Sequence, residues 1–195
     1  MQTPSHVVIS LFLWRKNSAW PETLAVTAGA ILPDLNMFFF YGYQKWIGSS
    51  ESEIWGTLYF LDQWQLFFDV FNSIPIFLML MLIGHFWNSR LLFLVSASAL
   101  VHLLCDLPLH NDDAHRHLLP FSNWRFISPV SYWDPKHYGP YAASLEYLVC
   151  LVACFRLSFG RYTKSIRIAG RINLALFVAL PILIGILLVV LRTVQ

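Results

Sequence analysis

The chain has 195 residues, 57% of them hydrophobic and only 12% charged, with 13 Lys and Arg against 11 Asp and Glu. An average soluble domain is roughly 45–50% apolar and about 25% charged, so the composition excludes an ordinary soluble domain and a disordered chain. The net charge of +2 argues against a nucleic-acid partner. What remains is an all-α, polytopic transmembrane helix bundle whose first partner is membrane lipid.

In chain order, His6–Trp14 is apolar but too short to cross a bilayer and reads as a half-depth or interfacial helix. Arg15-Lys16 follow where a signal-peptide cleavage site would need small residues, so a secretory signal is not expected. Five spans are predicted: Leu24–Tyr43, Leu66–Phe86, Leu91–Leu107, Tyr141–Leu157 and Ile172–Leu191. Residues 1–195 thus read as one integral membrane domain. The segment Arg156–Arg171 carries five basic residues and no acid, which predicts a cytoplasmic loop. Alternation then places Arg15-Lys16 and Trp87–Arg90 inside, and Gln44–Gln65 and Pro108–Pro140 outside. Cys105, Cys150 and Cys154 lie in apolar runs and form no disulfide framework, although Cys150 and Cys154 share a helix face and could make a zinc pair.

Chemistry concentrates in His102-x3-Asp106-x3-His110-Asn111-Asp112-Asp113-x-His115-x-His117. His102 and Asp106 are i,i+4 on one span and project from one face. Pro108 ends that helix before His110. Ionisable side chains inside a membrane are costly and are functional by default. Imidazole with carboxylate suits a divalent metal, and a metal-free His–Asp hydrogen-bonded pair is the alternative. Asp112, Asp113, His115 and His117 fit a site or a solvated loop equally, while His85 and His137 are read as having no role. Asp34 lies ten residues past Leu24, ~15 Å along the helix. It sits beside Pro33, which can free a backbone carbonyl. Depth lets Asp34, Asp69, Asn72, His102 and Asp106 share one cavity open to the outside, joined by His6 if the short helix enters there.

These segments carry a resemblance. Ser5-His6, Leu32-Pro33-Asp34-Leu35, His102-Leu103-Leu104-Cys105-Asp106 and Trp124-Arg125-Phe126 resemble motifs of the membrane-bound metal-dependent hydrolase family, also described as LexA-binding and inner-membrane-associated. The family's Leu-Pro-Asp-hydrophobic-Asp has Asn36 in place of its second Asp. Its His-Arg-x-x-Thr-His-Ser falls at Asp69-Val70-Phe71-Asn72-Ser73, where both histidines are missing. Those losses remove ligands for a second metal.

Two classes of function follow. In the first, a divalent metal, zinc or manganese, is held by His6, Asp34, His102 and Asp106. His110 or His115 relays protons, and Arg125, Asn72 and Asp69 meet an amphiphilic substrate, a lipid-like molecule or phosphoester, at the outer face of the plasma (inner) membrane. No Gly-x-Ser-x-Gly elbow or Walker loop is present, which disfavours serine hydrolases and nucleotide-driven pumps. In the second, a non-enzymatic membrane protein uses the same His/Asp cavity to bind or conduct metal ions or protons, or simply to hold its bundle together.

Overall fold

The computed structural model describes residues 1–16 and 18–193. Its helices are α1 Thr3–Leu13, α2 Trp20–Trp46, α3 Glu51–Gly56, α4 Asp62–Phe71, α5 Ile74–Phe86, α6 Arg90–Asp106, α7 Gly139–Phe159 and α8 Lys164–Thr193. No strand occurs among the described residues. Among the described residues, five stretches are long and apolar enough to cross a membrane: Trp20–Trp46, Asp62–Phe86, Arg90–Leu109, Gly139–Phe159 and Lys164–Leu183. The chain is therefore an all-helical, multi-pass bundle. The last predicted span, Ile172–Leu191, falls within α8, and its side chains from residue 184 onward lie outside those described.

Helix α1 has only 11 residues, ~16 Å at 1.5 Å per residue, which is half a bilayer core. Its first turn lies beside the middle of α2, where Thr3 Oγ1 donates to Asp34 Oδ2 at 2.6 Å. Its last turn reaches the opposite level, with Trp14 edge-on to Phe93 and Arg15 near Tyr162. Val7, Val8 and Leu11 pack with Val26, Ala30, Leu94 and Leu157 into the main core. Cys150 and Cys154 lie in the same core. Cys150 points at the Ser5 carbonyl, and neither thiol belongs to a metal-capable group among the described residues. The conceivable zinc pair is thus replaced by apolar packing.

Helices α2 and α6 run parallel and close. Ser98 Oγ donates to the Val26 carbonyl and, one turn on, His102 Nδ1 reaches the Ala30 carbonyl, both at 2.7 Å. Gly29 permits this approach: a Cβ there would lie 2.1 Å from the Val95 carbonyl oxygen and 2.9 Å from Ser98 Cβ.

The second predicted span is broken at Asn72–Ser73. Pro75 cannot donate to the carbonyl four residues back, so a new helix starts just before it, where no such bond is needed. Ser73 Oγ caps that start, accepting from the Ile76 N–H at 3.3 Å. The loop of residues 107–138 satisfies the freed backbone. The Ile74 N–H donates to the His117 carbonyl at 2.9 Å, His117 Nδ1–H donates to the Asn72 carbonyl at 2.9 Å, and Ser73 Oγ donates to the Leu119 carbonyl. Irregular backbone at membrane depth is tolerated where protein surrounds it in this way.

At one end of the bundle Arg90 pairs with Glu22 at 3.1 Å, and Thr163 and Ser165 donate to the Ser18 carbonyl at 2.7 Å. At the other end stand residues 47–61 and 107–138, with an aromatic core of Phe40, Tyr59 and Phe68.

Two expectations follow. Gly29→Val should lower the melting temperature of the detergent-solubilised protein, at a cost of about 1–3 kcal/mol or more, since the clash is with backbone. Gly42→Ala, with nothing within 4 Å of the added methyl, should leave it unchanged or raise it. The second concerns His117. Burial, against the upward pull of the Asn72 carbonyl, lowers its pKa from 6.5 to about 4. The folded value lies below the unfolded one, so its contribution is intact above pH 6.5 and is lost as pH falls through 4. That loss is about 3 kcal/mol at ~1.4 kcal/mol per unit. Melting curves from pH 7 to 4 should therefore fall less steeply for His117→Gln than for the parent.

Candidate metal centre

Asp106 ends α6, and its carboxylate collects imidazoles from three directions. His6 Nε2 stands 3.0 Å from Oδ1, His102 Nε2 stands 3.1 Å from Oδ2 and His110 Nε2 stands 3.4 Å from Oδ2. His102 Nε2 also faces Asp34 Oδ1 at 3.5 Å. The α-amino group of Met1 reaches Asp106 Oδ1 as well. His6, His102 and Asp106 are all buried and offer ligand atoms within 4.8 Å of one another, so this trio can hold a metal ion. Metal bonds of ~2.0–2.2 Å place neighbouring ligand atoms ~3.0–3.5 Å apart, the separation of His6 and of His102 from Asp106.

Hydrogen bonding tests the fit further. A carbonyl only accepts, so His102 Nδ1 carries the proton in its 2.7 Å contact with Ala30. This arrangement commonly fixes a metal-ligating histidine. The other nitrogen, Nε2, is buried without a hydrogen bond, as are both ring nitrogens of His6 and Nε2 of His110. A neutral His102 would aim a bare lone pair at two carboxylates, which is repulsive without a cation between them. The rings of His6 and His102 stack in parallel at 3.5 Å, so one ion cannot lie in both ring planes. His102 is pinned by Ala30, whereas no hydrogen bond holds the His6 ring. His6 is therefore the ring that would turn to share an ion.

The remaining predicted residues divide. Asn72, Asp34, Asp106, His110 and His115 line one polar cavity of about 210 Å³. His110 Nδ1 contacts Asp113 Oδ2 at 2.9 Å, and Trp133 Nε1 donates to the same oxygen at 3.1 Å. Burial opposes a charge on His110, but Asp106 and Asp113 outweigh it and raise its pKa to about 9. Asp113 is half-buried, which pushes its carboxyl up, but its contact with His110 outweighs this and holds it below the usual range. Asp69, expected to meet substrate, instead lies fully buried, held by His115 Nδ1 at 3.1 Å, the Arg116 N–H at 3.0 Å and the Arg116 guanidinium. Arg125 is likewise turned toward Asp69 and Gln65, at 3.7 and 3.4 Å, and does not line the cavity. Both departures have one cause: a carboxylate at this depth draws in the nearest cations. His137 pairs with Asp134 at 2.7 Å, away from the centre.

Sequence reasoning missed Thr3, which orients Asp34, and the pairing of Asp113 with His110. It also missed Met37, Tyr59 and Tyr132, which wall the cavity. Only the i,i+3 spacing of His110 and Asp113 could have signalled any of these.

No family model, curated protein or solved structure matches this chain.

Divalent-metal analysis of purified variants checks the centre. His102→Ala should lower metal content about 10-fold or more and Asp34→Asn less, because the amide keeps shape but loses charge. His137→Ala should leave content unchanged. Equal content in all three, or none in the parent, would contradict the reading.

Proposed function

We propose that the chain is a metal-dependent hydrolase of the plasma (inner) membrane, acting on a lipid-like or phosphoester substrate at the outer face. One observation carries this reading: His102, its Nδ1–H fixed on the Ala30 carbonyl, turns a buried Nε2 to 3.1 Å from Asp106 and 3.5 Å from Asp34, with His6 Nε2 3.0 Å from the same Asp106 carboxylate.

The resemblance to the membrane-bound metal-dependent hydrolase family supports it. Of the elements that match the motif, His6, Asp34, His102 and Asp106 cluster, whereas Arg125 turns toward Asp69. Of the positions that depart, Asn36 Nδ2 donates to the Phe68 carbonyl at 3.2 Å, Asp69 is paired with Arg116 and Asn72 lines the polar cavity.

In this reading His6, His102 and Asp106 hold a divalent ion, zinc or manganese, beside Asp34. The bound ion supplies Lewis-acid polarisation of the scissile ester. Thr3 keeps Asp34 oriented through Oγ1. His110 holds a proton at Nδ1 against Asp113 and turns Nε2 toward the centre, where it exchanges a proton with the reacting groups. His115 lines the same cavity, but Asp69 occupies its Nδ1, so His110 is the better placed of the two. Tyr59 and Tyr132 limit water on one side of the cavity.

The test pairs metal analysis with hydrolysis of phosphodiester and acyl-ester substrates presented in micelles. Turnover should require metal, and His110→Gln should lower kcat about 10²–10⁴-fold with metal content retained. Stoichiometric metal without turnover on any substrate would favour the binding or transport reading. Orientation has its own measurement: a cysteine at Ser122 should react with an impermeant reagent in intact cells, because Arg156–Arg171 is expected inside. Protection there would reverse the side assigned to the site.

A further inference from the structure

The polar cavity at the His/Asp centre, about 210 Å³, is the smaller of two adjoining spaces. Beside it opens a chamber of about 450 Å³ walled by Met37, Trp55, Tyr59, Phe60, Tyr132 and Trp133. The two are neighbours across a shared wall, since Met37, Tyr59, Asp113 and Tyr132 line both. Their chemistry differs sharply. The smaller carries carboxylates and imidazoles, whereas the larger is aromatic apart from Met37, Asp112 and Asp113. The indole N–H groups of the chamber are already tied off. Trp55 Nε1 donates to Glu51 Oε2 at 3.1 Å, and Trp133 Nε1 donates to Asp113 Oδ2 at 3.1 Å. What both tryptophans have left to offer a ligand is apolar ring. Met37 stands one turn beyond Asp34 on α2, and its unbranched thioether adapts to irregular apolar shapes. The chamber therefore lies beside the site, toward the end of the bundle that carries α3 and the loop of residues 107–138.

A polar pocket side by side with an aromatic one is complementary to a molecule with a polar head and an apolar tail. We infer that the aromatic chamber binds the apolar chain of an amphiphile whose polar head occupies the His/Asp cavity. The placement of the head rests on the hydrolase reading; that of the chain rests on the chamber alone. A second apolar groove, along α7 at Tyr141, Leu145 and Val149, shares only Met1 with the polar cavity. It is the weaker candidate, because Glu146 also opens onto it with one buried carboxylate oxygen unpaired.

The experiment uses the full-length parent protein in detergent and a monoacyl glycerophosphate carrying a diazirine at the end of its chain. After irradiation, labelled peptides are mapped by mass spectrometry. Label should fall on Met37, Trp55, Phe60 or Trp133. Excess unlabelled monoacyl glycerophosphate should reduce it at least about tenfold, while glycerol 3-phosphate at the same concentration should not, because it lacks the chain whose burial drives binding. Met37→Trp, which adds bulk to the shared wall, should also reduce label in a protein that melts like the parent. Loss of chamber label on chelation supports both chain and head placement. Competed chamber label in a parent protein that is metal-free as purified and takes up no added zinc or manganese keeps the chain site and removes the hydrolase reading. Label confined to Tyr141, Leu145 and Val149, or to the outward faces of α7 and α8, overturns the chain site whatever the metal content.

Discussion

Gly29 lets α2 come so close to α6 that a methyl group at that position would lie 2.1 Å from the Val95 carbonyl oxygen. At this separation side chains of α6 reach the backbone of α2, as Ser98 does at Val26 and His102 at Ala30. The second contact orients the ring, selects its tautomer and sends the remaining nitrogen toward Asp34 and Asp106. Pro33 adds to this. It lacks the N–H that would bond Gly29, so the ladder loosens where the Ala30 carbonyl takes an imidazole. The centre is thus built from a small residue, a missing donor and an i,i+4 pair on two parallel helices.

Short α1 completes the arrangement because it is divided along its length. Its upper turn is polar: Thr3 serves Asp34, while the Gln2 N–H and the Ser5 hydroxyl meet Glu146. Its lower turns are apolar and enter the main core. Were it a full span, His6 would lie at another depth. Starting halfway puts the imidazole against His102 with Nε2 on the opposite oxygen of Asp106. The stacked rings share one carboxylate from its two sides, and the low-dielectric surroundings oppose two positive charges so close together.

Much of this was legible in the residues, and the limit is physical. Apolar run lengths gave the five spans, and His102-x3-Asp106 gave a helical face because helix geometry places i and i+4 together. Asp34 beside Pro33 pointed to a partner on another helix. Contacts of long sequence separation carry no local signal, which is why Asp69 was assigned to substrate when Arg116, 47 residues away, neutralises it. The break at Asn72–Ser73 was present as Asn-Ser-Ile-Pro, but the high hydropathy of the flanking segments outweighed it in a reading by span length.

That break also explains how an aqueous-side loop takes part in a site inside the bundle. Ending α4 early leaves backbone groups that must find partners where water is scarce, and His117 and Leu119 supply them, drawing residues 115–119 inward. Further along, the Ser128 N–H donates to the His110 carbonyl at 2.9 Å and the Tyr132 N–H to the Leu109 carbonyl at 3.0 Å, fastening the loop over the end of α6. His110 is therefore positioned by the loop, whereas His102 and Asp106 are positioned by a helix. In the proposed hydrolase, a helix-borne ligand set and a loop-borne proton carrier would separate two demands. The groups that hold charge would stay fixed, and the group that exchanges a proton would sit on the element best able to adjust to what enters the cavity.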